Sequence, residues 1–388
     1  MKNKRADPTR RLRAVEASVS PEELTDALDD PSPEVVRVAI RRLVDLLGPG
    51  AAASLRARVF SVDLSLVADF TKALQRIGDS RILQIATMAL EDQRSTRRLA
   101  AVRALGALAD AHAVEPLRAA LDDQVGGVRA AALDALAQVG PGAGAGIGAD
   151  CARLVSDPVP HVRIAAVRAV ARLVARPGRM LTPAALDQDR SVRLAVARHA
   201  GSLPEPSARA LLADPDLRVR EAAARAAGAR EVGVVAVLLA QDSARDVRRA
   251  AAHALGAMQD ERVADLLVPG LEDRDPLVRV AVLHALEQLL TKAGVVRRLC
   301  GELEGNRAER RRASLYALSR LEAPEAEPAV ARAAADPDPE VRLALIHSAE
   351  ALFRDPGPLM HYLAADPDDA VRNAAEMWLI RTTPTDTS

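Results

Sequence analysis

Between residues 128 and 140 the chain reads VRAAALDALAQVG, and the same skeleton returns from one end of the sequence to the other. With the Arg of the Val-Arg pair as zero, apolar residues fall at −1, +2, +3, +6 and +7. That is the spacing of one face of an α-helix. The Arg recurs at Arg37, Arg98, Arg129, Arg163, Arg193, Arg220, Arg248, Arg279, Arg311, Arg342 and Arg372. The steps are 27–34 residues apart from the first, which is a double step. The segment 66–78 fills that gap with Val67 at the Arg position, giving twelve units. Asp7 and Arg13 mark a partial thirteenth.

Each unit also carries a shorter helical pattern ahead of the Arg, such as VEPLRAAL at 114–121 or PEELTDAL at 21–28. In the latter, Ser20 and Glu23 bracket Pro21 as a capping box. Asp-Pro and Gly separate the helices. A helix pair this small cannot bury its apolar face alone, so the units must stack on one another. The predicted fold is all-α, an α-solenoid of about twelve helix pairs. Residues 1–19 form a partial N-terminal capping repeat, 20–380 a continuous solenoid and 381–388 a flexible tail.

An Asp precedes the ruler Arg by six residues at Asp92, Asp123, Asp157, Asp187, Asp214, Asp242, Asp273, Asp336 and Asp366. Asp30 is displaced by one, and Ser61 and Gly305 break the rule. An active site is made once, whereas this pair recurs, so its role is structural. The Asp is expected to cap the second helix, and the Arg to bridge to the Asp of its own or the next unit.

On these repeats the chain resembles the short HEAT-like repeats of the phycobilin-lyase type found in bacterial proteins. The resemblance spans nearly the whole chain and implies that the second helices line a concave surface. It implies no single function, because one scaffold hosts many.

Position +5 lies roughly 130° from the apolar face. Down the units it offers Arg42, Lys72, Arg103, Arg168, Arg198, Arg225, His253, His284, Tyr316 and His347, with Asp134 and Met377 as exceptions. Most of the early members are basic, the later ones imidazole or aromatic. This column is the candidate partner-binding stripe; a solvated, Arg-rich helix face is the plain alternative. Beside it, position +1 gives Val38, Leu99, Ile164, Leu194, Val280 and Leu343. Arginines mixed with aliphatics suit a protein or peptide partner, acidic or amphipathic in character.

Composition narrows the alternatives. Of 388 residues 49% are apolar but only 2% aromatic, so the core is built from Ala, Val and Leu. The net charge is zero, which argues against a general polyanion binder. Nucleic-acid binding, including a HEAT-like DNA repair glycosylase, remains an alternative because of the Arg42-to-Arg225 run. A bilin lyase or chaperone follows from the resemblance alone. No apolar run is long enough for a membrane span, and the N-terminus lacks a secretory pattern, so a cytoplasmic chain is expected.

Enzyme chemistry does not assemble. His253, His284 and His347 sit in different units, too far apart to share a metal with bonds of about 2 Å. The glycines of Gly144-x-Gly146-x-x-Ala149 follow a helical rather than a strand pattern, unlike a dinucleotide loop. Cys151 and Cys300 form neither a disulfide framework nor a metal pair, and Cys151 near His161 lacks an orienting third group. No cofactor, metal or catalytic residue is expected, and the chain is read as a non-enzymatic scaffold.

Overall fold

A computed structural model describes residues 7–60, 63–140 and 146–382. Ser61, Gly144 and the tail residues 383–388 lie outside the described residues. Among those described, the chain is an all-α solenoid of helix pairs. The helices group into two compact units, Met1–Ser207 and Ala208–Ser388.

The second helices, numbered here in chain order, are α1 (Pro33–Leu47), α2 (Val67–Arg76), α3 (Ser95–Leu108), α4 (Gly126–Val139), α5 (Pro160–Leu173) and α6 (Arg190–Ala197) in the first unit. In the second unit they are α7 (Leu217–Ala226), α8 (Arg245–Gly256), α9 (Pro276–Leu289), α10 (Ala308–Arg320), α11 (Pro339–Leu352) and α12 (Asp369–Thr382). Each contains one ruler position. The shorter first helices are often half α-helix and half 3₁₀ turn, as at 114–122 and 264–272.

In α5 the predicted apolar set, Val162, Ala165, Ala166, Ala169 and Val170, is fully buried. Position +4 is buried as well, at Val102, Leu133, Val167, Ala252 and Ile346, which the periodicity did not single out. A second helix touches its own first helix and a second helix on either side. Its buried arc is therefore wider than a single amphipathic stripe.

Small residues set how closely neighbouring helices approach. A Cβ on Gly106 of α3 would fall 2.8 Å from Ala135 Cβ of α4. At the same register in the second unit, a Cβ on Gly256 of α8 would fall 2.8 Å from Ala285 Cα of α9. Both glycines stand at +8 and both alanines at +6 of the next repeat. In α9 position +8 is Glu287, and α9 meets α10 only marginally, although α8 packs along α9 and α10 along α11.

The polar frame is an arginine–aspartate ladder. Nε and Nη2 of Arg98, Arg129, Arg163, Arg220, Arg248, Arg311 and Arg342 grip the −6 Asp of the following repeat, at 2.6–3.0 Å. Nη1 of each donates to the carbonyl at −6 of its own repeat, at 2.7–3.0 Å. One guanidinium thus ties two successive turns together. The open question of own or next Asp is answered: the carboxylate comes from the next unit.

Three sequence expectations need correction. The −6 Asp does not cap the helix. Its Oδ1 accepts the N–H two residues on, at 2.8–2.9 Å, as in Val125, Val159, Asp189 and Asp338. The cap is that later residue, whose own side chain serves where it is Asp, as Asp189, Asp216, Asp275 and Asp338 do. An Asx turn places the carboxylate one step outside the helix, where the neighbouring Arg reaches it. In the partial repeat the cation is Arg11, bonded to Asp30 at 2.9 Å, while Arg13 is exposed. Finally, Ser20 caps the N–H of Glu23, but the Glu23 carboxylate accepts from the Ser18 hydroxyl instead of closing a box.

The ladder carboxylates are pulled both ways. Burial raises Asp157, but the Arg129 hydrogen bonds and the Val159 N–H outweigh it and hold the acid below 3.8. Asp123, Asp242 and Asp336 are shifted downward by the same balance, and at Asp366 the Arg342 hydrogen bond leads. Acids lowered in the folded chain contribute stability that is complete above their unfolded pKa. It is lost as pH falls through the folded value.

Two outcomes follow. Asp157→Ala leaves Arg129 buried without its anion and costs about 3–5 kcal/mol in urea unfolding. It also weakens the loss of stability between about pH 5 and pH 2 relative to wild type; an unaltered acid profile would rule out this rung as a source. Gly256→Ala gains about 1 kcal/mol of helix propensity, but the collision with Ala285 makes it a net loss of about 1–2 kcal/mol by thermal or urea unfolding.

Candidate partner-binding face

The +5 column is positioned by the ladder. Once the ruler Arg is fixed at the repeat junction and −1, +3 and +7 are buried, +5 must point away from the core. Lys72, Arg103, Arg168, Arg198, Arg225, His253, His284, Tyr316 and His347 are all exposed. Arg42 departs from this pattern. It is half-buried, its Nη2 donates to the Ser18 carbonyl at 2.8 Å, and its Nε is buried without a partner.

In the first unit the basic run is partly neutralised from within. Arg168 pairs with Asp134, the +5 residue one repeat earlier, at 2.9 Å. Arg103 donates to the Leu64 carbonyl at 2.8 Å. Lys72 borders a small groove of about 180 Å³ between α1 and α2, with Arg37, Arg41, Asp69 and Arg76. Arg198 makes no ion pair among the described residues.

In the second unit Arg225 pairs with Glu221 at 2.6 Å. His253 and His284, from α8 and α9, meet edge to face with ring centroids 6.2 Å apart. Adjacent repeats therefore bring two imidazoles together, closer than the sequence suggested, but His347 does not join them. No group of three His, Cys, Asp or Glu able to hold a metal occurs among the described residues. Burial, the His284 ring, Arg249 and Arg225 push the His253 pKa below 6.5.

Three further column members, Tyr316, His347 and Met377, border larger grooves. Tyr316 lies in a groove of about 630 Å³ between α9 and α10, with Arg279, Val280, Leu283, Arg312 and Arg320. His347 and Met377 line one of about 540 Å³ between α11 and α12 beside Trp378, whose indole donates to Glu350 at 2.9 Å. A further groove of about 640 Å³ opens among the first helices, around Arg332, Phe353, Leu359 and Tyr362, and no sequence signal pointed to it.

The +1 aliphatics are mostly covered. Val38, Leu99, Ile164, Leu194 and Leu343 are half-buried, and Val280 alone of the set is exposed, at 47%. The exception falls where α9 and α10 part. The glycine stretch before Cys151 follows α4 and leads into the helix Ile147–Arg153, with no strand among the described residues. No helix among those residues is long and apolar enough to cross a membrane.

No curated protein matches this sequence. Among solved structures the chain is similar to an engineered protein, with 17% identity, 93% of this chain and 98% of that one covered, and a TM-score of 0.39. It is also similar to Kap121p bound to Ste12p, with 12% identity, a TM-score of 0.46 and 95% of this chain covered, though it spans only 48% of the Kap121p chain. A third similarity is to a tubulin-recruiting TOG domain array of microtubule polymerases, with 12% identity, 99% and 100% covered, and a TM-score of 0.30. The family model for HEAT repeats matches residues 68–137, 232–319 and 296–380, more than half of the sequence. Helix pairs stacked through one recurring Arg–Asp rung, matched over that length, make this chain a member of the HEAT-repeat family.

Proposed function

We propose that the protein is a non-enzymatic scaffold whose second-helix face binds a protein or peptide partner. The observation that carries this reading is the exposed part of the +5 column that makes no intrachain polar contact among the described residues, Lys72, Arg198, Tyr316 and His347, next to grooves lined by Tyr316, His347, Met377 and Val280. Aromatic, imidazole and aliphatic side chains beside scattered cations match the composition of protein-binding surfaces. A nucleic-acid track fits less well. Arg42, Arg103, Arg168 and Arg225 already have partners within the chain, which leaves Lys72 and Arg198 as the cations of the run with no ion pair among the described residues. The bilin-lyase reading gains no support beyond the type of repeat. The absence of catalytic chemistry is part of the same proposal. Cys151 is buried and its thiol is pushed up to about 12 by burial and by Asp150, so it is a poor nucleophile at neutral pH.

Affinity capture from the native host tests the scaffold reading. Wild-type protein is expected to recover a discrete partner, and the combined variant Lys72→Glu, Arg198→Glu, Tyr316→Ala, His347→Ala to lose it while unfolding at the same midpoint. Capture of nothing above background, or an identical set with the variant, would defeat the reading. A thiol reagent such as DTNB should label at most Cys300 in the native chain and both cysteines in denaturant. Rapid native labelling of Cys151 would reopen thiol chemistry.

A further inference from the structure

Besides Ser61, which lies outside the described residues, two places break the ladder, and the chain treats them differently. Val67 stands where a ruler Arg belongs, so the following Asp92 lacks a cation from the repeat before it. Arg94 and Arg97 take its carboxylate instead, at 3.1 and 3.0 Å, and hold its pKa at about 2. At the other break Gly305 stands where an Asp belongs, and Arg279 of α9 has no carboxylate to grip. Nothing replaces it: among the described residues Arg279 makes no ion pair. Its Nη1 is nevertheless held as in every other rung, donating to the Asp273 carbonyl at 2.8 Å. The Nε–Nη2 edge, which elsewhere grips an Asp, is preformed, exposed and empty-handed.

This edge borders the 630 Å³ groove between α9 and α10. The floor is apolar, with Val280, Leu283, Ala313 and Tyr316. The acids of the wall are mostly spoken for. Glu272 accepts from Arg307 and Arg310 at 2.7 Å, Asp273 belongs to Arg248, and Glu340 to Arg312. Among the described residues Arg279 and Arg320 make no ion pair, and of the four lining acids only Glu309 makes none either, so two unengaged cations meet one unengaged acid. From Glu309 to Arg320 along α10 is about 16 Å at 1.5 Å per residue, the reach of about five extended residues.

Resting on the scaffold reading, we propose that this groove takes an extended segment of a partner protein, an Asp carboxylate docking on Arg279 in place of the missing rung. An apolar side chain next to that Asp lies on Val280, Leu283 and Tyr316. The chain itself supplies the template. The same guanidinium edge, anchored by the same carbonyl, receives an Asp in the rungs on both sides, at Arg248 and Arg311. A bidentate arginine–carboxylate pair selects for planar anions and fixes the register of the segment.

The test is fluorescence polarisation with the full chain and a blocked, fluorescein-labelled heptapeptide carrying a central Asp followed by Leu. Its Asn and phosphoserine analogues serve as controls. The Asp peptide should bind at least tenfold more tightly than the Asn peptide, the difference expected when a charged hydrogen bond worth about 1.5–3 kcal/mol is lost. Arg279→Gln should abolish the preference. Gly305→Asp, which supplies the missing anion from within, should block the peptide without lowering the unfolding midpoint. Equal binding of Asp and Asn peptides, no binding of either, or an unaltered preference in Arg279→Gln overturns the site; tighter binding of phosphoserine overturns the carboxylate assignment. If the peptide fails while host capture still depends on the +5 column, the groove falls and the scaffold reading stands.

Discussion

A buried guanidinium is tolerable only when its donors are met, and in this chain that requirement joins the repeats. In seven repeats the ruler arginine spends Nη1 on its own turn and the opposite edge on the next repeat's aspartate, with both side chains nearly closed to solvent. Removing either partner strands a charge in a poorly hydrated junction. The pair therefore specifies which turn faces which, while the alanine and valine core supplies the attraction. With so few large side chains, the core has little shape to define register by itself, and a directional polar contact fills that role.

Much of this architecture was legible in the sequence because a repeat displays the same constraint many times over. The ruler, the −6 acid and the buried positions −1, +3 and +7 could be read from spacing alone. What escaped were details set by geometry outside one helix. An Asp near a helix start reads equally well as a cap or as an Asx turn, and only the reach of the neighbouring Arg decides. Burial at +4 depends on the second-helix neighbours, which a single helical wheel leaves out. Arg42 reads as a member of the exposed column, yet the Ser18 carbonyl of the preceding turn captures it.

The candidate face was visible only as a column of unexplained residue types. Sequence placed the +5 side chains from Lys72 onward mostly outward, Arg42 being the exception, but it could not show that Arg168 and Asp134, both members of the column, neutralise each other across one repeat. Nor could it show which +1 aliphatics are exposed. That depends on how closely second helices approach, and close approach goes with a small residue at +8, as at Gly106, Ala137, Gly256 and Ser319. Where +8 is Glu287, α9 and α10 part, and Val280 and Tyr316 come to the surface.

A missing rung can be mere drift or a vacancy kept for something else, and the two differ in what surrounds them. Drift relaxes: at Asp92, nearby arginines swing in and the unmatched charge is absorbed. At Arg279 the opposite holds, since the side chain keeps the posture of a paired rung although its pair is absent. The same junction has also lost the close helix packing that would seal it, and the acids nearby are engaged with other cations. Two departures from the repeat, the acid missing at Gly305 and the slack packing of α9 on α10, meet at one groove, where Val280 is exposed as a result. Random loss of a structural contact would not be expected to open an apolar floor beside an oriented, unmatched cation.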